Sequence, residues 1–212
     1  METIRLKDSV LESAVEKAAE TLRAGGVILY PTDTLYGLGA DAFSDEAVAT
    51  VYAIKGRDEK KPIHCVITDL AMAERYAEVN LFARKLAEEF LPGPLTLILK
   101  KKEGVEGGVA TRMSTIGFRI PRNDFCIALA REYGRPYTTT SANRAGRDPE
   151  RSIDRIREQL GDSSQINLAI DAGELPTSIP STVVDVSGEE PVIVREGSIP
   201  VADIWETIRS EY

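Results

Sequence analysis

Four short segments gather the side chains that a polar, charged ligand would need. Thr32-Asp33-Thr34 and Tyr36 lie in a loop that follows an apolar run. Hydroxyls there can donate and accept, and such a loop is either a capped turn or one wall of a small-ligand site. Lys55-Gly56-Arg57, with Lys60 and Lys61 just beyond, is dense in cations. Arginine grips phosphate as a planar fork and lysine as a point charge. Cations at a helix C-terminus also suit the helix dipole, so both readings stay open. No GxxxxGK[ST] pattern accompanies them, which excludes a P-loop. Thr138-Thr139-Thr140-Ser141-Ala142-Asn143 is a hydroxyl-rich strand end, and Ser181-Thr182 with Arg195-Glu196-Gly197 forms the fourth segment. Arg119, before Pro121, can join it. Read singly, each is as consistent with strand propensity or surface polarity as with binding. A Ser/His hydrolase lacks support, because there is no GxSxG elbow and His64 is the one histidine. His64 lies in an apolar strand, where a satisfied core histidine is expected.

The segments follow predicted strands. Helical spacing of apolar residues predicts helices over Ser9–Arg23, from Ser44 to Ile54, over Leu81–Phe90, from a cap at Asp124 to Tyr133, over Ser152–Leu160 and over Pro200–Ile208. Strands are expected at Val27–Tyr30, Ile63–Thr68, Leu95–Leu99, Ile116–Ile120, Pro136–Thr140, Leu168–Asp171, Thr182–Val186 and Val192–Val194. Residues Pro31–Asp41 read as a loop. The alternation predicts an α/β fold with a mixed, twisted open sheet, helices on its faces and a concave ligand cleft beyond the strand ends.

The 212 residues suit one domain spanning 1–212. The net charge of −8 disfavours general electrostatic binding to nucleic acid, although a local basic cleft remains compatible with it. Cys65 and Cys126 form no metal-type cluster and read as buried thiols, with a disulfide between them left open. No signal-like or membrane-spanning run is present, so a cytoplasmic protein is expected.

Taken in order, PTDTLYGL (Pro31–Leu38), KGR (Lys55–Arg57) with Lys61-Pro62, LPGPLT (Leu91–Thr96), IGFRIP (Ile116–Pro121), SAN (Ser141–Asn143) and PSTVVD (Pro180–Asp185) resemble the YrdC-like threonylcarbamoyl-AMP synthase family. The resemblance spans roughly residues 20–200 and corresponds to the short, single-domain form. It implies a nucleotidyltransferase that condenses L-threonine, bicarbonate and ATP to threonylcarbamoyl-AMP and pyrophosphate, with Mg²⁺ accompanying the ATP. It also implies a downstream threonylcarbamoyl-transferase partner, a transient tRNA contact and no membrane partner. By the same resemblance, Arg57 and Lys61 would bind the ATP phosphates with help from Lys55, and Lys55 and Arg57 would carry the catalysis. Thr115, Ser141, Asn143 and Arg195 would hold the nucleotide. Thr34, Thr139 and Ser181 would contact threonine, and Arg119 its carboxylate.

This sequence departs from the pattern at two places. Many relatives carry a histidine at the position of Val66, whereas here His64 precedes it by two residues on the same strand face. Arg147-Asp148-Pro149 stands where relatives often have Ser-Pro. Three competing readings are an RNA-binding module using Lys100–Lys102, Arg144, Arg147 and Arg151, a diverged paralogue without synthase activity, and a carbamoyl-transfer module of the kind found within longer hydrogenase-maturation proteins.

Overall fold

The computed structural model describes residues 1–58, 61–161 and 165–210. The strands are β1 (Glu2–Arg5), β2 (Val27–Pro31), β3 (Tyr36–Gly39), β4 (His64–Val66), β5 (Ala77–Glu78), β6 (Leu95–Lys101), β7 (Thr115–Arg119), β8 (Tyr137–Ser141), β9 (Ile166–Asp171), β10 (Thr182–Asp185) and β11 (Val192–Arg195). The helices are α1 (Leu11–Arg23), α2 (Asp45–Lys55), α3 (Leu70–Ala73), α4 (Leu81–Phe90), α5 (Asp124–Tyr133), α6 (Ile153–Leu160) and α7 (Val201–Arg209). The strands form one mixed sheet in the order β1-β9-β2-β3-β8-β4-β7-β6-β10-β11, with β5 paired to β6.

Alternation along β2 shows how the layers arise. Val27 and Leu29 enter one apolar core, and Ile28 and Tyr30 enter the other. Successive strand side chains point to opposite faces, so a strand buried throughout must feed two cores. Ala14, Ala18 and Leu22 of α1 and Phe125 and Leu129 of α5 fill one core. Val51 of α2, Leu86 of α4, Ile156 of α6 and Ile204 of α7 fill the other. The expected mixed sheet with helices on both faces is what the chain forms.

The region read as a loop contains β3, a correction to the expected Pro31–Asp41 loop. Tyr36-Gly37-Leu38-Gly39 pairs antiparallel with β2 on one side and with β8 on the other. Two glycines mask its alternation, but the tight fit requires them. A Cβ on Gly39 would stand 2.9 Å from side-chain atoms of both Ile28 and Tyr30. The short pieces β1, α3 and β5 also lie outside the predicted elements. The cap of α5 is Asn123 rather than Asp124, since its Oδ1 accepts from the Cys126 N–H at 3.1 Å. Ser44 caps α2 as expected, accepting from Ala47 N–H. Both cysteines are free and buried, so no disulfide joins them. Among the described residues no helix is long and apolar enough to cross a membrane.

Thr138 ties β3 to β8 at full burial. Its Oγ1 accepts from Ala40 N–H at 2.9 Å and donates to the Leu38 carbonyl at 3.2 Å. Thr138→Val keeps the shape and strands the Ala40 N–H. Leaving a buried donor unpaired costs about 1–3 kcal/mol. At about 2–4 °C per kcal/mol for a domain of this size, calorimetry should show Tm lower by several degrees.

Candidate functional site

A cleft of about 270 Å³ opens over the centre of the sheet. Strand register sets its floor. His64 of β4 pairs with Thr139 of β8, and Val66 pairs with Arg119 at the end of β7. The His64 ring lies directly above Gly117, where an added Cβ would approach Cδ2 to 2.5 Å. Glycine is therefore the residue that leaves room for the imidazole. Burial, then the charges of Arg195, Arg119 and Arg57, push the His64 pKa down to about 4. At neutral pH the ring is uncharged, with one nitrogen free to donate and the other to accept.

The Thr32–Leu35 turn forms one wall. Thr32 Oγ1 accepts from the N–H groups of Thr34 and Leu35, both at 3.1 Å, and donates to the Leu35 carbonyl at 2.7 Å. This side-chain-closed turn presents Thr34 to the cleft. The Ser178 hydroxyl donates to the Thr34 carbonyl and anchors the turn from the C-terminal side. Asp33 does not line the cleft. It accepts from Arg119 Nη2 in a pair that is 8% and 9% exposed, and from the Arg122 N–H at 3.0 Å.

Three guanidiniums border the space. Arg57 donates to the Pro62 carbonyl at 3.2 Å, while its Nε–H is buried without an acceptor. Arg119 likewise has a buried, unpartnered Nε–H. Arg195 grips the Ser181 carbonyl through Nε at 3.2 Å and Nη2 at 2.7 Å, and burial followed by the charge of Arg119 lowers its pKa. Ser181 in turn shares a 3.0 Å hydrogen bond with Thr96 of β6. Among the described lining residues none is a carboxylate. The arrangement suits a ligand that brings anionic oxygens and can accept from unsatisfied N–H groups.

Lys55 and Arg57, two residues apart, face different ways. Gly56 caps α2 in the left-handed region at φ 57°, which turns the chain between them. Lys55 is 2% exposed. Its ammonium donates to the Ser141 carbonyl, to the Asn143 carbonyl at 2.9 Å and to Asn143 Oδ1 at 3.4 Å. The Ala145 N–H donates back to the Lys55 carbonyl at 2.9 Å. Burial, then Arg57, pulls the Lys55 pKa down to about 7. Asn143 completes the turn by donating to the carbonyls of Arg144 at 3.0 Å and Arg147 at 2.6 Å.

Seven of the residues singled out from sequence line the cleft together: Thr34, Arg57, Arg119, Thr139, Ser141, Ser181 and Arg195. Lys55 and Asn143 lie beneath it and shape the Ser141 turn. Lys61 is exposed at the rim beside Pro62. Thr115 shares a face of β7 with Arg119 but stands roughly 13 Å along the strand from it, beside a hollow lined by Lys100, Lys101 and Lys102. Lys60 falls outside the described residues. His64, expected as a core histidine, is instead half-buried in the cleft wall. Thr32 and Tyr36 of the first segment also line it, as does Pro149, which was not expected as a contact. The Tyr36 hydroxyl donates to the Gly173 carbonyl at 2.8 Å, and burial raises its pKa to about 12. Two of the three charges in the Lys100–Lys102 run are paired locally. Lys100 pairs with Glu78 and Lys101 with Glu106, and Lys102 donates to the Glu74 carbonyl.

Two outcomes test these assignments. A histidine pKa lowered from 6.5 to about 4 means that the unfolded chain takes up a proton first as pH falls. The associated stability is present above pH 6.5 and is lost as pH drops toward 4, by at most about 3 kcal/mol at 1.36 kcal/mol per unit. His64→Asn should flatten this slope in urea titrations across pH 4–7. Lys55→Met strands buried carbonyls of the 141–143 turn and should lower stability by about 1–3 kcal/mol, read from the urea midpoint.

The Sua5/YciO/YrdC family model, described as "Telomere recombination", matches residues 20–197. A Methanocaldococcus jannaschii relative, provisionally described as a threonylcarbamoyl-AMP synthase, is 36% identical over 92% of this chain and 91% of its own length. The threonylcarbamoyl-AMP synthase of Pyrococcus abyssi is 32% identical over 97% of this chain, which spans 60% of that protein. The structure of P. abyssi Sua5 complexed with L-threonine superimposes with a TM-score of 0.88 at 32% identity, covering 98% of this chain and 60% of that one. E. coli YciO superimposes at 0.82 with 31% identity, covering 94% of this chain and 96% of that one. With the family model matching residues 20–197 and a relative 36% identical over most of both chains, the chain belongs to the Sua5/YciO/YrdC family.

Proposed function

We propose that this chain is a threonylcarbamoyl-AMP synthase, using ATP, L-threonine and bicarbonate to form threonylcarbamoyl-AMP and pyrophosphate. The observation that carries the reading is the convergence of Arg57, Arg119 and Arg195 on a cleft whose other polar lining is neutral hydroxyls and an uncharged imidazole. Every reactant except the threonine ammonium is anionic, and the amino acid adds a carboxylate. Relatives named for this activity, and a threonine complex of one of them, support the same assignment.

The chemistry runs in two steps. Threonine's ammonium first loses a proton to solvent; the neutral amine then attacks the bicarbonate carbon, and loss of water leaves a carbamate. A carbamate oxygen then attacks the α-phosphorus of ATP, forming the mixed anhydride while the bond to the β-phosphate oxygen breaks and pyrophosphate departs. The chain contributes placement and charge. Arg57, with Lys61 at the rim, meets the phosphates. Arg195 and Ser141 hold the nucleotide, and Asn143 and Lys55 act by fixing the Ser141 turn. Thr34, Thr139 and Ser181 surround threonine, and Arg119 faces its carboxylate. No acidic or thiol cluster of metal-binding type occurs among the described residues. Mg²⁺ fits as part of the MgATP substrate, carried on phosphate and water oxygens. The product would pass to a threonylcarbamoyl-transferase acting on tRNA.

Purified protein with MgATP and bicarbonate should release pyrophosphate only when L-threonine is added, with little turnover on serine. Arg57→Ala should cut kcat/KM for ATP by about a hundredfold or more, the scale for losing a charged transition-state contact. Folded protein with no threonine-dependent release would overturn the reading in favour of a non-synthase paralogue.

A further inference from the structure

We infer that Asp33, which lines no part of the cleft, is the positioning residue that sets the Arg119 guanidinium for an amino-acid carboxylate. The inference rests on the threonine-binding reading above and extends it to a residue that no comparison assigns.

Arg119 ends β7 among like charges. The fields of Arg57, Arg119 and Arg195 all reach His64, and Arg119 lowers the pKa of Arg195. A flexible guanidinium would swing away from these neighbours toward water. Asp33 prevents this from behind. Its Oδ1 takes Arg119 Nη2, and its Oδ2 takes the Arg122 N–H at 3.0 Å, so both oxygens are committed and the carboxylate cannot rotate freely. Both side chains of the pair are at least nine-tenths buried, where a charge pair is poorly screened. The Nε–H of Arg119 remains buried with no acceptor. An orphaned charged donor costs more than a neutral one, so its persistence points to an oxygen that arrives with the ligand.

Chain connectivity adds a coupling. Asp33 lies between Thr32 and Thr34, both of which line the cleft. The carboxylate that orients Arg119 therefore also ties the Thr34 turn to the segment following β7. Two contacts expected for the same amino acid, one cationic and one hydroxyl, are held in mutual register by one side chain. The ATP side of the cleft, at Arg57 and the Ser141 turn, is fixed by other partners.

This difference makes the test specific. Asp33→Asn keeps the size and an acceptor for the Arg122 N–H but removes the charge that holds Arg119. The KM for threonine should rise about tenfold or more while the KM for ATP moves less than twofold, and calorimetric threonine binding should weaken in parallel. Combined with Arg119→Lys, Asp33→Asn should add little, because both changes act on one contact. Should Asp33→Asn fail to fold, judged by near-UV circular dichroism, Asp33→Glu retains the charge at a shifted distance and should raise the threonine KM by a smaller factor. An unchanged threonine KM in whichever variant folds, or multiplicative effects in the double variant, would overturn the inference. Absence of threonine-dependent turnover in the unsubstituted protein would instead count against the synthase reading itself.

Discussion

Holding several positive charges together in a space largely withdrawn from water is the constraint on which this molecule depends. Guanidiniums repel one another, and losing water makes that repulsion stronger. Each of the three at the cleft is therefore held by a different oxygen: the Pro62 carbonyl for Arg57, the Asp33 carboxylate for Arg119 and the Ser181 carbonyl for Arg195. These oxygens come from segments far apart in sequence, and only the sheet order brings them close. The mixed sheet is thus the frame that allows the charges to coexist. An uncharged His64 belongs to the same solution, since a fourth cation at that position would add to the repulsion.

The Lys-Gly-Arg segment shows how closely local backbone geometry is tied to chemistry. Three consecutive residues supply a buried ammonium, a left-handed turn and a cleft guanidinium. The ammonium works on the protein itself by gathering the carbonyls of Ser141 and Asn143. This explains why hydroxyl and amide groups at the end of β8 keep a fixed arrangement beneath the cleft. Asn143 spends its amide on the Arg144 and Arg147 carbonyls, so its part in any nucleotide contact is indirect.

Much of this was legible in the amino acids. The Leu81–Phe90 helix and the Ser44 cap coincide with the observed elements, because periodicity and capping are local signals. Hydroxyl and cation clusters at strand ends named most of the cleft. What escaped was decided across the sheet. Strand β3 was hidden because Gly37 and Gly39 break the apolar alternation, and their meaning appears only when Ile28 and Tyr30 press on them. His64 looked like a core residue because its apolar neighbours Ile63 and Cys65 face the opposite side. Asp33 carried a weak signal, an acid flanked by two threonines, but its partner lies 86 positions away. Lys55 was legible as a cation and illegible in direction, since only the turn at Gly56 decides which way it points. Thr115 was expected at the nucleotide only by resemblance, and the observed cleft lies along the strand from it.

Ser181 and Arg195 come last in sequence among the residues that line the cleft, which has a consequence for synthesis. Strand β10 lies parallel to β6, and Thr96 meets Ser181 across 85 residues of sequence. Both residues are made after β2 to β8, and a domain folds as a unit rather than strand by strand. A translation product ending before β10 would lack the Ser181 and Arg195 wall of the cleft together with the core side chains Val184, Val186, Ile199 and Ile204.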